Sequence, residues 1–259
     1  MSTKYHLKRD NHDARDYYAH TTQAFSLVQP STLPTSVDLR PYCSQVEDQG
    51  QLGSCTGNAL VGAMELLENK YKLNESNETF TDFSRLFVYY NERSFEGTVN
   101  QDAGALISDG IKSLYTYGIC TETTWPYQAY RFANKPSDDA YTEAATRKIS
   151  AYARVNRDNG IEGIKQVLAS GYPIVFGFMV YDAFESEEVA QTGILNMPTT
   201  SEKCQGGHAV LMVGYDDATQ RVIVRNSWGN RWGQGGYFTM PYEYIINRNL
   251  TSDMWTITK

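Results

Sequence analysis

Four side chains in this sequence have the types and spacing to do covalent chemistry together: Gln49, Cys55, His208 and Asn226. Cys55 stands in the stretch "EDQGQLGSCTGNALVGAMELLEN", six residues after Gln49. Behind it Leu60, Ala63, Met64, Leu67 and Tyr71 recur at helical spacing, and Ser54, Thr56 and Asn58 are residues that favour a helix start. The pattern predicts a helix over about 56–72 with Cys55 at its N-terminus. Free N–H groups and the helix dipole stabilise a thiolate there and lower its pKa from about 8.5. Gly50, Gly53 and Gly57 permit tight turns and close approach of another segment. Read alone, Cys55 fits a small core hydrophobe as well as a reactive thiol.

Histidine narrows the choice of a base. His6, His12 and His20 lie in a polar leader, which leaves His208 in the body of the chain. The stretch "GGHAVLMVGYDDATQRVIVRNSWG" gives two apolar runs joined by a polar turn, the signature of a hairpin. His208 opens one strand and Asn226 follows the other, so a hydrogen bond from Asn226 would fix the imidazole's tautomer and orientation. His208 then serves Cys55 as general base or as half of a thiolate–imidazolium pair. Gln49, across a glycine-rich turn, offers an amide donor to an oxyanion beside the sulfur, with the Cys55 N–H as the second donor. A surface or turn glutamine is the alternative for Gln49 taken by itself.

The elements that must position these groups fall into two halves. Helical patterns are predicted over about 56–72, 83–92 (Phe83, Leu86, Phe87, Tyr90) and 103–117 (Leu106, Ile107, Ile111, Leu114), and 119–142 reads mostly as loop. From about 146 the pattern changes. "KISAYARVN" reads as a strand, "GIEGIKQVLASG" as a short helix and "YPIVFGFMV" as a buried strand, followed by the hairpin and a further strand candidate in "GGYFTMPYEYII". The expected class is α+β, with a helical lobe over 33–145 and an antiparallel, partly barrel-like sheet over 146–259. Residues 1–32 form an N-terminal extension that is either a short prosegment or a disordered leader.

Composition excludes several other classes. The 259 residues carry a net charge of −7 and no basic cluster, which argues against nucleic acid or an anionic membrane surface as partner. No run of 18 or more apolar residues spans a membrane, and the polar first thirty residues have no secretory h-region. Cys43, Cys55, Cys120 and Cys204 are too few for a disulfide framework and are not spaced as a zinc cluster, so the redox compartment stays open.

Taken together the islands resemble the papain-like cysteine peptidases. The match is carried by Gln49–Gly50 with Gly53–Ser54–Cys55, by "GGHAVLMVGY" from Gly206, and by "VRNSWGNRWGQGGYF" from Val224. "LPTSVDLR" from Leu33 is similar to that family's mature N-terminus, and "YGICTETTWPY" from Tyr117 to the segment joining its lobes. The resemblance implies a two-lobed papain-like fold with an interlobe cleft and peptide-bond hydrolysis through a thioester acyl-enzyme, with endopeptidase action as the default. It implies Cys55 as nucleophile, His208 as acid and base, Asn226 as orienting residue, Gln49 as oxyanion donor and Trp228 as the indole covering the histidine–asparagine pair. Gly104 and Ala105 fall where the family hydrogen-bonds extended substrate, and Gly177, Gly206 and Gly207 where it walls a side-chain pocket. The expected partner is an extended peptide or protein, with the N-terminal segment as an intramolecular occupant of the cleft. No metal or organic cofactor is implied. Two rivals remain at this point: acyl transfer or deamidation with the same nucleophile, and a catalytically silent binding module.

Three departures stand out. Thr56 replaces the family's aromatic residue after the cysteine, and Leu52 replaces the cysteine that begins its usual disulfide. The extension is also too short for the family's helical prosegment. Cys43 and Cys120 then form a different bridge or none.

Overall fold

The computed structural model describes residues 5–11, 13–72 and 80–259; His12 lies outside them. Its organising element is helix α1, Cys55–Lys72, whose first thirteen residues are all buried. Its small residues let it lie between the two halves. A side chain at Gly57 would press on the Arg85 carbonyl, and one at Gly62 would press on Arg225 and Leu211. Tyr71, assigned to the apolar stripe from sequence, is instead 67% exposed, because the last turn of α1 runs past the core.

On one side of α1 lie α2 (Arg85–Glu96) and α3 (Ile107–Thr116). Helix α2 starts where Ser84 accepts a hydrogen bond from the Phe87 N–H and ends at Glu96, four residues beyond its predicted end, with Gly97 after it in the left-handed conformation. Helix α3 starts later than predicted: Gly104 has φ +65° and Leu106 is extended, so 103–106 form an edge before the helix begins. The loop expected over 119–142 runs into a short helix α4, Asp138–Ala144, capped by Ser137. A separate apolar cluster of Leu52, Leu86, Phe87, Tyr89, Ala105, Cys120 and Trp125 holds this half together.

On the other side is a seven-stranded antiparallel sheet. Its strands are β1 (Ser36–Asp38), β2 (Ala151–Arg154), β3 (Ile174–Tyr181), β4 (Cys204–Asp216), β5 (Arg221–Arg225), β6 (Tyr237–Pro241) and β7 (Thr251–Thr258). The path runs β2-β7-β3-β4-β5-β6, with β1 paired to β4. Helix α5 (Glu162–Ala169) follows β2, and α6 (Glu187–Thr192) lies between β3 and β4. The stretch read as a strand in "GGYFTMPYEYII" changes at Pro241 from β6 into helix α7, Tyr242–Ile246.

One strand crosses the predicted halves. Residues 36–38, placed with the helical lobe from sequence, join the sheet. β3 pairs with β4 only as far as Met212, which leaves that edge of Gly214–Asp216 open for β1. The main core is continuous from α1 into this sheet. All four cysteines are free, so of the two alternatives left open for Cys43 and Cys120 the structure has the one without a bridge: Cys43 packs on the main core and Cys120 belongs to the second cluster. No helix among the described residues is long and apolar enough to cross a membrane.

Candidate active site

Helix α1 carries Cys55 to the inner face of the sheet and buries it completely. Two N–H groups of its own helix start, those of Cys55 and Thr56, face the sulfur together with that of Ala209, the neighbour of His208 on β4. The expectation of a lowered thiol pKa is not met in this arrangement. Burial pushes the Cys55 thiol up to about 12, opposed by the three N–H groups and reinforced by nearby Glu92. The helix terminus favours the thiolate as expected, but a fully covered sulfur has no water to solvate the charge.

His208 is also fully buried, on β4 opposite Phe178 of β3. Its Nε2 lies 2.9 Å from Asn226 Oδ1. The Ser227 N–H donates to the same Asn226 atom at 2.9 Å, which identifies that atom as the oxygen. His208 therefore carries its hydrogen on Nε2, and Nδ1 is the basic nitrogen. Trp228 stacks on the imidazole with ring centroids 5.4 Å apart and planes 30° apart, and Phe184 packs on Trp228 at 5.0 Å. These rings keep water away from the His208–Asn226 bond and so strengthen it.

Gln49 is fixed at both ends of its amide. Oε1 accepts from Ser227 Oγ at 2.5 Å, and Nε2 donates to the Leu52 carbonyl at 2.9 Å. An amide nitrogen has two hydrogens, so one remains for a ligand. Ser227 thus touches the holder of the histidine and the glutamine alike, a link that the "NSW" motif contains but sequence spacing does not reveal. Tyr127 donates to the Gln49 carbonyl at 2.9 Å and lies 2.6 Å from Ser54 Oγ, with Arg85 stacked 4.1 Å over its ring. The Gly53 N–H donates to Asp102 at 3.0 and 3.1 Å. Asp102 and Tyr127 therefore hold the loop before Cys55, where Leu52 offers no disulfide.

The Thr56 departure also has a partner that sequence reasoning missed. Thr56 Oγ1 donates to Glu92 Oε2 at 2.6 Å, with both side chains buried. Burial raises the Glu92 carboxyl to about 8 from its ordinary 4.5; Thr56 and Arg93 oppose the rise, while Asp109 and Glu96 add to it. Between those two values the folded chain binds more protons than the unfolded one. This stabilising contribution is fully present below pH 4.5 and is lost as pH rises through about 8. The urea midpoint of the protein is therefore expected to fall between pH 5 and pH 8.5, and less steeply in Glu92→Gln. Equal slopes in the two proteins would show that Glu92 does not titrate in this range.

The glycines assigned to a substrate wall are brought together along one groove, and residues 5–10 of the same chain lie in it. Leu7 N–H donates to the Gly207 carbonyl at 3.1 Å and Lys8 N–H to that of Ala105 at 3.2 Å. A Cβ on Gly104 would lie 1.9 Å from the His6 carbonyl oxygen, one on Gly177 2.3 Å from Leu7 Cδ2, and one on Gly206 2.8 Å from Tyr5 Cβ. Tyr5 sets its ring edge-on to His208 at 5.9 Å and donates to Glu185 at 2.8 Å. Asp10 accepts from Ser108 Oγ at 2.7 Å and from Trp255 Nε1 at 2.8 Å. Further along, Ala19 and Phe25 enter the main core. No group of His, Cys, Asp and Glu among the described residues is arranged to hold a metal ion.

Residues 33–255 match the family described as papain family cysteine protease. An uncharacterized peptidase C1-like protein of Acanthamoeba polyphaga mimivirus is 44% identical over 251 residues, covering 92% of this chain and 79% of that one. Fruit bromelain of Ananas comosus is 29% identical; the match covers 84% of this chain and 57% of bromelain. The crystal structure of xylellain, a cysteine protease from Xylella fastidiosa, superposes with a TM-score of 0.88 at 41% identity, covering 100% of this chain and 97% of that one.

Proposed function

The chain belongs to the papain family of cysteine proteases, and from that premise we propose that Cys55 is its nucleophile and His208 its acid and base. Asn226 orients His208, and Gln49 stabilises the oxyanion. The observation that carries this assignment is the Nε2–Oδ1 bond between His208 and Asn226, under Trp228 and beside the start of α1. With Nε2 committed to Asn226, Nδ1 takes the thiol proton. The thiolate then adds to the scissile carbonyl, and the negative charge passes to the carbonyl oxygen. The free Gln49 amide hydrogen and the Cys55 N–H receive it, a contribution of about 3 kcal/mol per donor. His208 returns its proton to the leaving amine, which breaks the C–N bond and leaves a thioester. It then takes a proton from water, whose attack releases the acid and restores the thiol.

The substrate is an extended peptide whose backbone pairs with Gly104–Ala105 on one wall and Gly206–Gly207 on the other. Endopeptidase action is supported by the length of the groove, which accepts six consecutive residues of the chain itself from Tyr5 to Asp10. Residues 1–32 act as an intramolecular cover. The contacts of residues 5–10 with the same backbone edges, and the Tyr5 ring packed against His208 and Trp228, support that reading.

The test is to treat the reduced full-length protein with an epoxysuccinyl peptide and map the adduct by mass spectrometry. One adduct per chain on Cys55 is expected, with exposed Cys204 unmodified. An adduct on Cys204 or Cys43 with Cys55 untouched would remove the basis for the assignment.

A further inference from the structure

The groove holds a cation on a carboxylate that the proposed reaction does not use. Glu96, the last residue of α2, is only 11% exposed at its side chain. Its Oε1 accepts the N–H of Leu106 at 3.1 Å, so it stands directly behind the backbone edge on which the N-terminal segment lies. Its Oε2 forms an ion pair with the Lys8 ammonium. The other charges around it do not replace that cation. Asp109, on α3, is half-buried, and its carboxyl is raised first by burial and then by Glu96. Asp10 adds negative charge from the segment itself, and Glu92 adds more from one turn back on α2 if it ionises. Lys112, on α3, lies 4.1 Å over the Phe95 ring and opposes the rise at Asp109, while Lys8 is the cation paired with Glu96 itself. When residues 5–10 leave the groove, Lys8 and Asp10 leave with them, and Glu96, bonded to the Leu106 N–H behind the substrate edge, loses its ion-pair partner.

We infer that Glu96 selects a lysine or arginine side chain in the substrate, next to the residue that fills the recess at Gly177. The register comes from the bound segment. Leu7 fills the Gly177 recess and Lys8 reaches Glu96, as neighbouring side chains of an extended strand must point to opposite walls. This alternation is the same for either chain direction, so the position does not depend on which way the substrate runs. A charge-assisted bond in such a setting is worth roughly a factor of ten or more in binding. The inference rests on the peptidase reading given above.

It is tested with internally quenched peptides that carry one lysine, arginine, norleucine or glutamate at each position around a fixed leucine. The enzyme is the full-length chain with Leu7→Ala to loosen the cover, and rates are taken per titrated Cys55 thiol. At one position beside the leucine, lysine or arginine is expected to raise kcat/KM about tenfold over norleucine, mainly through KM, and less so at high salt. Glu96→Gln keeps the Oε1 acceptor for Leu106 and should bring that ratio to about one. Glu96→Lys should turn the preference toward glutamate. Cleavage with the same basic-to-neutral ratio in Glu96→Gln would overturn the inference while leaving the peptidase reading intact. Cleavage of no peptide, with Cys55 unlabelled, would overturn both.

Discussion

Cys55→Ala is expected to lower kcat/KM on an internally quenched peptide by about 10⁵–10⁶-fold, and His208→Ala by a similar factor. The two side chains act as one unit. Without the thiol there is no bond to the carbonyl, and without the imidazole neither the thiolate nor the leaving amine obtains its proton partner. The double variant should therefore be no slower than either single one, because the second substitution removes nothing that still functions. Both sites are fully buried. Urea midpoints measured alongside would separate loss of chemistry from loss of fold: Cys55→Ala removes one buried sulfur atom, whereas His208→Ala opens a larger space under Trp228. A single variant that kept more than about one percent of activity, or a double variant whose losses multiplied, would contradict the assigned roles.

The second large effect concerns access to the groove. In the double variant Tyr5→Ala, Leu7→Ala, the second-order rate of Cys55 labelling by an epoxysuccinyl peptide is expected to rise about a hundredfold. Tyr5 packs on His208 and Trp228, and Leu7 fills the space beside Gly177. Losing two such side chains removes roughly 3 kcal/mol of apolar burial, equivalent to a factor of about 100 in the closed-to-open ratio. Ala19 and Phe25 are untouched, so the rest of the segment keeps its place in the core. The same change lets water reach the sulfur, and the thiol pKa should fall from the value near 12 that burial imposes. Labelling followed from pH 5 to 9 reports both effects. A rate within twofold of the parent would mean that residues 5–7 do not control access.

The residues proposed as nucleophile, base and orienting amide were legible because each sits where local pattern changes: Cys55 at the onset of a 3.6-residue period, His208 and Asn226 at the two ends of a hairpin. The glycines of the groove were legible through family resemblance. Long-range packing was not. β1 is three residues long and takes its place from an edge left open on β4, which no local period records. The sign of the Cys55 shift was misread because the helix terminus is visible in sequence, whereas the complete burial of the sulfur is a product of long-range packing. Thr56 looked like a lost aromatic until Glu92, on another helix, supplied its partner. Glu92, Glu96 and Asp102 carry no motif, and only the packing of α2 and α3 against the Cys55 loop makes them part of the site.

The occupant of the groove is joined covalently to β1, the strand that follows it. A ligand tethered in this way rebinds as a unimolecular event, at an effective concentration in the millimolar range that does not change when the protein is diluted. Dilution, which dissociates a separate ligand, leaves this one in place, and a free peptide competes only as its own concentration approaches that range. A single cut between Asp10 and Ala19 ends this advantage, because the freed peptide then faces bulk dilution while Ala19, Phe25 and β1 stay with the core and the sheet.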